Sequence, residues 1–532
     1  MARLFDELVK YGASDYYGFH MPGHKRNDEL IAGTGETGAF GRSPGGISPY
    51  AYDITEIDGF DDLNHPLGII REEQERAARI FGAEHARFLV NGSTAGLLAA
   101  ISAVSEGKRK IIISRGCHKS VYNGVILSGL EPVYILSDGV CRPRDVLNAL
   151  GRAKAPAGNI AAADTASEKA PADEIAAIVI TSPTYEGDTA DVAAISRISR
   201  ETGVPLIVDQ AHGAHFGFND YFPESAARLG ADIVVTSLHK TLPSLTQTAL
   251  LLANGRAVDI KQVDKYLRIF QSSSPSYVLM GSISKCVSML EDGSDEMFTK
   301  YITLLDKFTE SCAGLKRLHL LTRDEVKRLG AFEFDRSKLV ITVGEAASGG
   351  EFDGLTLCGI LRDVYHIELE AAFPGYVIGM TSPADTAAGF TRFAAALFEI
   401  DGRLGEERKA RGLSDEESKS AGYGRGTSEG GSLILHARPV GTFSRPVTRM
   451  TPAEAFKARE IDVVDINQAA GRISAELVYM YPPGIPFIVP GEEITREITG
   501  MITEQKNRGY NITGAADETL KTLRVVKEGD LR

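Results

Sequence analysis

Between residues 86 and 252 the chain alternates short apolar runs with stretches whose apolar residues recur at helical spacing. The runs are Ala86–Val90, Lys110–Ile113, Pro132–Ile135, Ala177–Ile180, Leu206–Val208 and Asp232–Val235. Strands that are apolar without interruption are buried on both faces, so these runs predict a mainly parallel sheet covered by helices. Gly96–Val104 and Asp191–Glu201 predict two covering helices, and Pro223–Leu229 predicts another ahead of Asp232–Val235. In an open α/β sheet the ligand lies beyond the carboxyl ends of the strands. Asp209 and Ser237 fall at such ends.

At 532 residues the chain exceeds one ordinary core. The pattern predicts an N-terminal arm (1–25), an α/β major domain (26–285), a small α+β domain (286–400), a linker (401–431) and a C-terminal α+β domain (432–532). Ala153–Asp173, rich in Ala, Gly, Pro and Lys, reads as a surface excursion. The linker is read from charged and Gly/Ser-rich composition. A hydrophobic share of 43% and a charged share of 24% describe a soluble globular protein. A net charge of −13 argues against nucleic acid or an anionic membrane as main partner. No apolar stretch approaches the ~20 residues of a membrane span, and acidic residues stand where a signal peptide needs an apolar run. The cysteines (Cys117, Cys141, Cys286, Cys312, Cys358) lack paired spacing and read as reduced thiols of a cytoplasmic protein. The sequons at Asn91 and Asn511 are therefore incidental.

The chemistry concentrates in Thr236-Ser237-Leu238-His239-Lys240, read together with Asp209. An amine just past one strand and a carboxylate ending another are the two groups needed to operate pyridoxal phosphate (PLP). The lysine forms a Schiff base with the aldehyde and the carboxylate keeps the pyridine nitrogen protonated. Taken singly, Lys240 reads as a solvated lysine and Asp209 as a helix cap. Asn91-Gly92-Ser93-Thr94-Ala95, between a strand and a helix, supplies backbone N–H groups and hydroxyls for an anion, or a plain helix cap. His118, after Lys110–Ile113, suits stacking on the cofactor ring opposite Ala211, or capping a helix. Gly33-Thr-Gly-Glu-Thr-Gly38, with Asp53 beyond it, matches a dinucleotide pattern but lacks the strand before and the helix after. The pairs His212/His215 and His20/His24 lack supporting metal ligands. Cys117 lacks an orienting group for nucleophilic work.

Taken together the motifs resemble the group III PLP-dependent decarboxylases, which act on ornithine, lysine or arginine. The matching stretches are Phe19–Arg26, Asp53–Leu63, Val90–Gly96, Ser182–Gly187, Val208–His215, Thr236–Lys240, Tyr481–Pro486 and Pro490–Glu492, in the family's order. The resemblance implies PLP fold type I, the aspartate-aminotransferase-like fold, and loss of the α-carboxylate of a basic L-amino acid to give an amine of polyamine-type metabolism. It implies that Lys240 holds PLP, Asp209 pairs with the ring nitrogen and His118 stacks on the ring. Ser93, Thr94, Ser237 and His239 would bind phosphate beside Ala95, with His212 near the ring oxygen. A homodimer with shared active sites is implied, with a higher oligomer open, and Ser273 in Phe270–Pro275 would reach the partner's phosphate. Glu492 and Tyr481 would line the substrate entrance. His20–Arg26 stands almost at the start, which implies the short form without an N-terminal wing.

For proton delivery the candidates are Lys240 and His239. For the substrate's distal cation the first candidate is Glu492, followed by Asp53 and Asp58. An aminotransferase or carbon–carbon lyase on the same fold is the rival reading, with Arg362 as its carboxylate-docking arginine. A non-catalytic PLP protein is the second rival. No motif chooses among arginine, lysine and ornithine.

Overall fold

A computed structural model describes residues 17–19, 56, 60–137, 139–153, 174–255, 257–344, 352–410 and 446–527. His20, His24, the Gly33–Gly38 motif, Asp53, Asp58, excursion residues 154–173 and linker residues 411–431 lie outside the described residues.

A seven-stranded sheet carries the major domain. Its strands are β1 (His85–Leu89), β2 (Lys110–Ser114), β3 (Glu131–Ile135), β4 (Ile175–Thr181), β5 (Leu206–Asp209), β6 (Ile233–Ser237) and β7 (Ala249–Ala253). They lie in the order β1-β7-β6-β5-β4-β2-β3. Neighbours are parallel except around β7, which runs against both β1 and β6. The sequence reading did not mark β7. Its Ala-Leu-Leu-Leu-Ala run suits a buried helix as well as a strand, and only pairing decides.

The continuous apolar runs are explained by burial on both sides. Ile112, Ile178, Val208, Val234 and Leu252 enter one core, and their alternates Ile111, Val179, Ile207, Val235 and Leu251 enter the other. Helices α1 (Gly92–Ala103), α2 (Lys119–Ser128) and α3 (Val192–Thr202) connect these strands. Asp191 caps α3 by accepting from the Ala194 N–H at 2.9 Å. Pro223–Leu229 is not the expected helix but a series of turns. Gly230 takes φ +93°, which ends the segment before a helix can propagate.

Helix α4 (Tyr277–Cys312) bends at Gly293 and runs through the expected boundary at 285/286. The small domain is an antiparallel sheet of β8 (Leu318–Leu320), β9 (Lys338–Val343), β10 (Ala371–Phe373) and β11 (Tyr376–Met380), ordered β8-β9-β11-β10. Tyr17–Phe19 of the N-terminal arm pairs in parallel with Ile367–Leu369 beside it. Helix α5 (Ala387–Ala410) corrects the linker's start, because it carries on through Asp401 to Ala410. Its charged residues suggested a solvated linker, yet Asp401 is buried. It accepts from the backbone N–H groups of Lys316, Arg317 and Leu318 at 2.6–3.1 Å. In the C-terminal region Val478–Met480 pairs with Ile485–Ile488 and Ile512–Thr513, and Ile461–Asp465 pairs with Thr522–Val526.

Asp401→Ala strands those N–H groups in a buried site. It is expected to cost about 3 kcal/mol of stability, read as a lower urea midpoint.

Candidate active site

The carboxyl ends of β2, β4, β5 and β6 open on a cavity of about 570 Å³. Asp209 ends β5 and accepts the Ala211 N–H at 3.1 Å. Lys240 sits in the helical turn Leu238–Thr241 that follows β6, with its Nζ 2.9 Å from His212 Nε2. Both groups line the cavity. Burial raises the Asp209 carboxyl above its ordinary pKa, although the Lys240 charge and the Ala211 N–H oppose it. Burial lowers the Lys240 amine, with Asp209 and Glu370 opposing and Lys338 adding to the drop.

At the far wall Ser93 Oγ of α1 meets Ser237 Oγ of β6 at 2.6 Å, and Thr94 Oγ1 meets Ser120 Oγ at 3.0 Å. Asn91, the N-cap of α1, makes no side-chain cap bond there. Its Oδ1 accepts the Ser272 N–H instead, at 3.1 Å. Ser93 and Thr94 thus face the cavity at a helix N-terminus, where N–H groups and dipole favour an anion. Ala95 is buried in the same turn. His239 lines the cavity and its Nδ1 donates to the Thr248 carbonyl at 2.7 Å.

His118 caps α2, its Nδ1 accepting the Ser120 N–H at 3.2 Å, and the residue also lines the cavity. The C-terminal loop Tyr481–Gly484 rests on it. Gly484 has φ +92°, and a Cβ there would meet the His118 ring at 2.7 Å. The Gly484 carbonyl accepts the Lys119 N–H at 2.8 Å. Burial, then the charges of Lys240 and Lys119, lower the His118 pKa to about 3. Ala211, His212 and Tyr481 also line the cavity.

Other expected residues go elsewhere. Glu492, expected at the substrate entrance, is 1% exposed and lies outside the cavity lining. Its Oε2 takes Arg115 Nη2 at 3.1 Å and the Val489 N–H at 3.0 Å. This corrects its role as acceptor of the distal cation within this chain's cavity, since its carboxylate is spent on a buried ion pair. Ser273 is exposed and does not line this cavity. Arg362 is half-exposed and bonds Asp363. His215 turns away from His212 toward Asp335, at 3.0 Å.

Tyr185, Glu186 and Phe373 also line the cavity, although no role was drawn for them from sequence. For Tyr185 and Glu186 the signal was their place in the turn after β4, at a carboxyl strand end. Lys338 was missed too. It is a fully buried lysine whose Nζ donates to the His212 carbonyl at 3.1 Å and pairs with Asp335 at 2.7 Å.

A family model described as Orn/Lys/Arg decarboxylase, major domain, matches residues 2–330, and its C-terminal-domain counterpart matches 441–505. This chain belongs to the Orn/Lys/Arg decarboxylase family. The arginine decarboxylase of Halalkalibacterium halodurans is 31% identical over 99% of this chain and 97% of its own length. That of Bacillus subtilis is 30% identical, over 99% and 98%. The crystal structure of the Francisella novicida lysine decarboxylase is similar in fold, with a TM-score of 0.69 at 18% identity over 98% of this chain and 80% of that one. The family's members are decarboxylases, and this chain is an enzyme of that type.

The lowered pKa of His118 has a consequence for stability. Between about pH 6.5 and 3 the unfolded chain takes up a proton that the folded His118 refuses, so folding weakens as pH falls through that window. In the protein without cofactor, the stability lost between pH 7 and pH 4 should shrink by on the order of 2 kcal/mol in His118→Asn. Urea unfolding at the two pH values checks this.

Proposed function

We propose that the protein decarboxylates a basic L-amino acid, L-arginine first among them, with pyridoxal phosphate as cofactor and a second copy of the chain completing the site. The observation that carries this reading is the shared cavity of Lys240 and Asp209, with hydroxyls and a helix N-terminus at its wall. The cofactor fits the polar groups present. Ser114 Oγ, Thr181 Oγ1 and His212 Nδ1 belong to cavity-lining residues and are buried with no hydrogen-bond partner among the described residues. Arginine is favoured by near-full-length relatives named arginine decarboxylase at 28–31% identity. A relative named lysine decarboxylase stands at 23%.

When bound, pyridoxal phosphate supplies an aldehyde for amines and a protonated ring that draws off the electron pair left by carbon dioxide. Lys240 Nζ would hold the aldehyde and carry a proton for the substrate's α-carbon, a task suited to its lowered proton affinity. Asp209 would keep the ring nitrogen protonated. Ser93, Thr94, Ser237, His239 and the N–H groups near Ala95 would take the phosphate. His118 and Ala211 would bracket the ring, with His212 toward its oxygen. The Tyr481–Gly484 loop packs against His118 and would hold its ring in place. Exposed Ser273 suits a contact with the phosphate of a partner copy. The unpaired cysteines suit a cytoplasmic setting in polyamine-type metabolism.

Lys240→Ala is expected to abolish carbon dioxide release from L-arginine and the absorbance band of lysine-bound cofactor. Normal absorbance and turnover in that variant would remove Lys240 from this role. Asp209→Asn is expected to slow turnover by roughly two to three orders of magnitude, measured as carbon dioxide released under saturating substrate. A near-native rate there contradicts the assignment to the ring nitrogen.

A further inference from the structure

The turn Thr184–Gly187 hangs from the carboxyl end of β4 at the seam between the major and small domains. It is closed by the Asp188 carbonyl accepting the Thr184 N–H at 2.8 Å and the Thr184 carbonyl accepting the Gly187 N–H at 3.1 Å. The next residues, Asp188–Thr189, pair with Glu333–Phe334 of the small domain. Gly187 has φ +107°, and a Cβ there would lie 3.0 Å from Lys338 Cγ and 3.1 Å from the Asp335 carbonyl. The apex residues Tyr185 and Glu186 are therefore held in place by packing from both sides.

Their side chains cross the seam reciprocally. Tyr185 OH donates to Glu370 Oε1 at 2.6 Å, and Tyr376 OH donates to Glu186 Oε1 at 2.8 Å. Each domain thus contributes one phenol and one carboxylate. Burial and then Glu370 push the Tyr185 phenol well above its ordinary pKa, so it remains a donor. The Tyr185 ring meets the His212 ring edge-on at 4.8 Å, and His212 is the residue bonded to Lys240.

Three carboxylates line the cavity among the described residues: Asp145, Glu186 and Asp209. Asp209 sits beside Lys240. Asp145 accepts the Arg142 N–H at 3.1 Å and lies 3.8 Å from Arg144 Nε. Glu186 has no ion-pair partner among the described residues, and Tyr185, Phe373 and Tyr481 line the cavity with it. A carboxylate flanked by aromatic rings is the chemistry that receives an organic cation.

We propose that Glu186 receives the distal cation of the substrate, held in place by Tyr376, while Glu370 adds a second negative charge through Tyr185. This rests on the decarboxylase reading above. It names the residue that separates a basic amino acid from a neutral one of the same shape.

The test compares L-arginine with L-citrulline, its uncharged near-isostere, in the PLP-loaded protein and in Glu186→Gln. The variant should raise the KM for arginine by roughly 10- to 100-fold, the effect of losing a charge-assisted hydrogen bond, with a much smaller change in kcat. The preference for arginine over citrulline should narrow, and the cofactor absorbance should match that of the unaltered protein. Glu186→Asp, which keeps the charge, should recover most of the KM. Tyr376→Phe should raise KM by several-fold and serves as the second variant if Glu186→Gln folds poorly. An unchanged KM and preference in these variants, with the unaltered protein active on arginine, overturns the assignment of Glu186 alone. An unaltered protein that releases no carbon dioxide from arginine, lysine or ornithine overturns the decarboxylase reading and this assignment together.

Discussion

Asp335 is a carboxylate with no solvent exposure, held between the Lys338 ammonium at 2.7 Å and His215 at 3.0 Å. Burial alone would raise its carboxyl, but His215 and Lys338 outweigh burial and hold it well below the ordinary carboxylate range. Lys338 begins β9 of the small domain, and its Nζ also donates to the carbonyl of His212, the residue bonded to Lys240. The contact of β9 with the major domain and the position of Lys240 thus share one buried charge. Removing a single member would leave an uncompensated ion in a site that water cannot reach. The same cation helps depress the proton affinities of Lys240 and His212.

The C-terminal region is joined by similar means. Arg115 follows β2 and is 5% exposed; it bonds Tyr122 at 2.8 Å, the Phe487 carbonyl at 3.2 Å and Glu492 at 3.1 Å. Burial alone would lower its proton affinity, yet the Glu492 charge, with Tyr122 and Tyr134, more than compensates. This pair fastens the loop carrying Gly484 to the strand end that carries His118. The cavity wall is therefore assembled from three chain regions, and the C-terminal one acts on His118 by packing.

Asp209, Lys240 and the Ser93–Thr94 turn were legible because their meaning is local. A polar residue that ends an apolar strand faces the ligand side of an α/β sheet wherever the remaining chain goes. The helix beginning at Val192 was legible through the helical spacing of its apolar residues. The reading faltered where the same local pattern serves two outcomes. The leucine run of β7 became a strand by antiparallel pairing with β1 and β6. The charged start of the linker became the last turns of α5, anchored by buried Asp401.

Apolar periodicity and strand-end chemistry in the chain itself determined a sheet buried on both faces and a lysine–aspartate pair at its ligand edge. Those signals depend on neighbours within a few residues. Only the tertiary structure decided which distant groups meet. Glu492 finds Arg115 across 377 residues, Lys338 reaches His212, and Tyr376 reaches Glu186. Such pairings follow from how domains dock, and docking leaves no periodic trace in the order of residues.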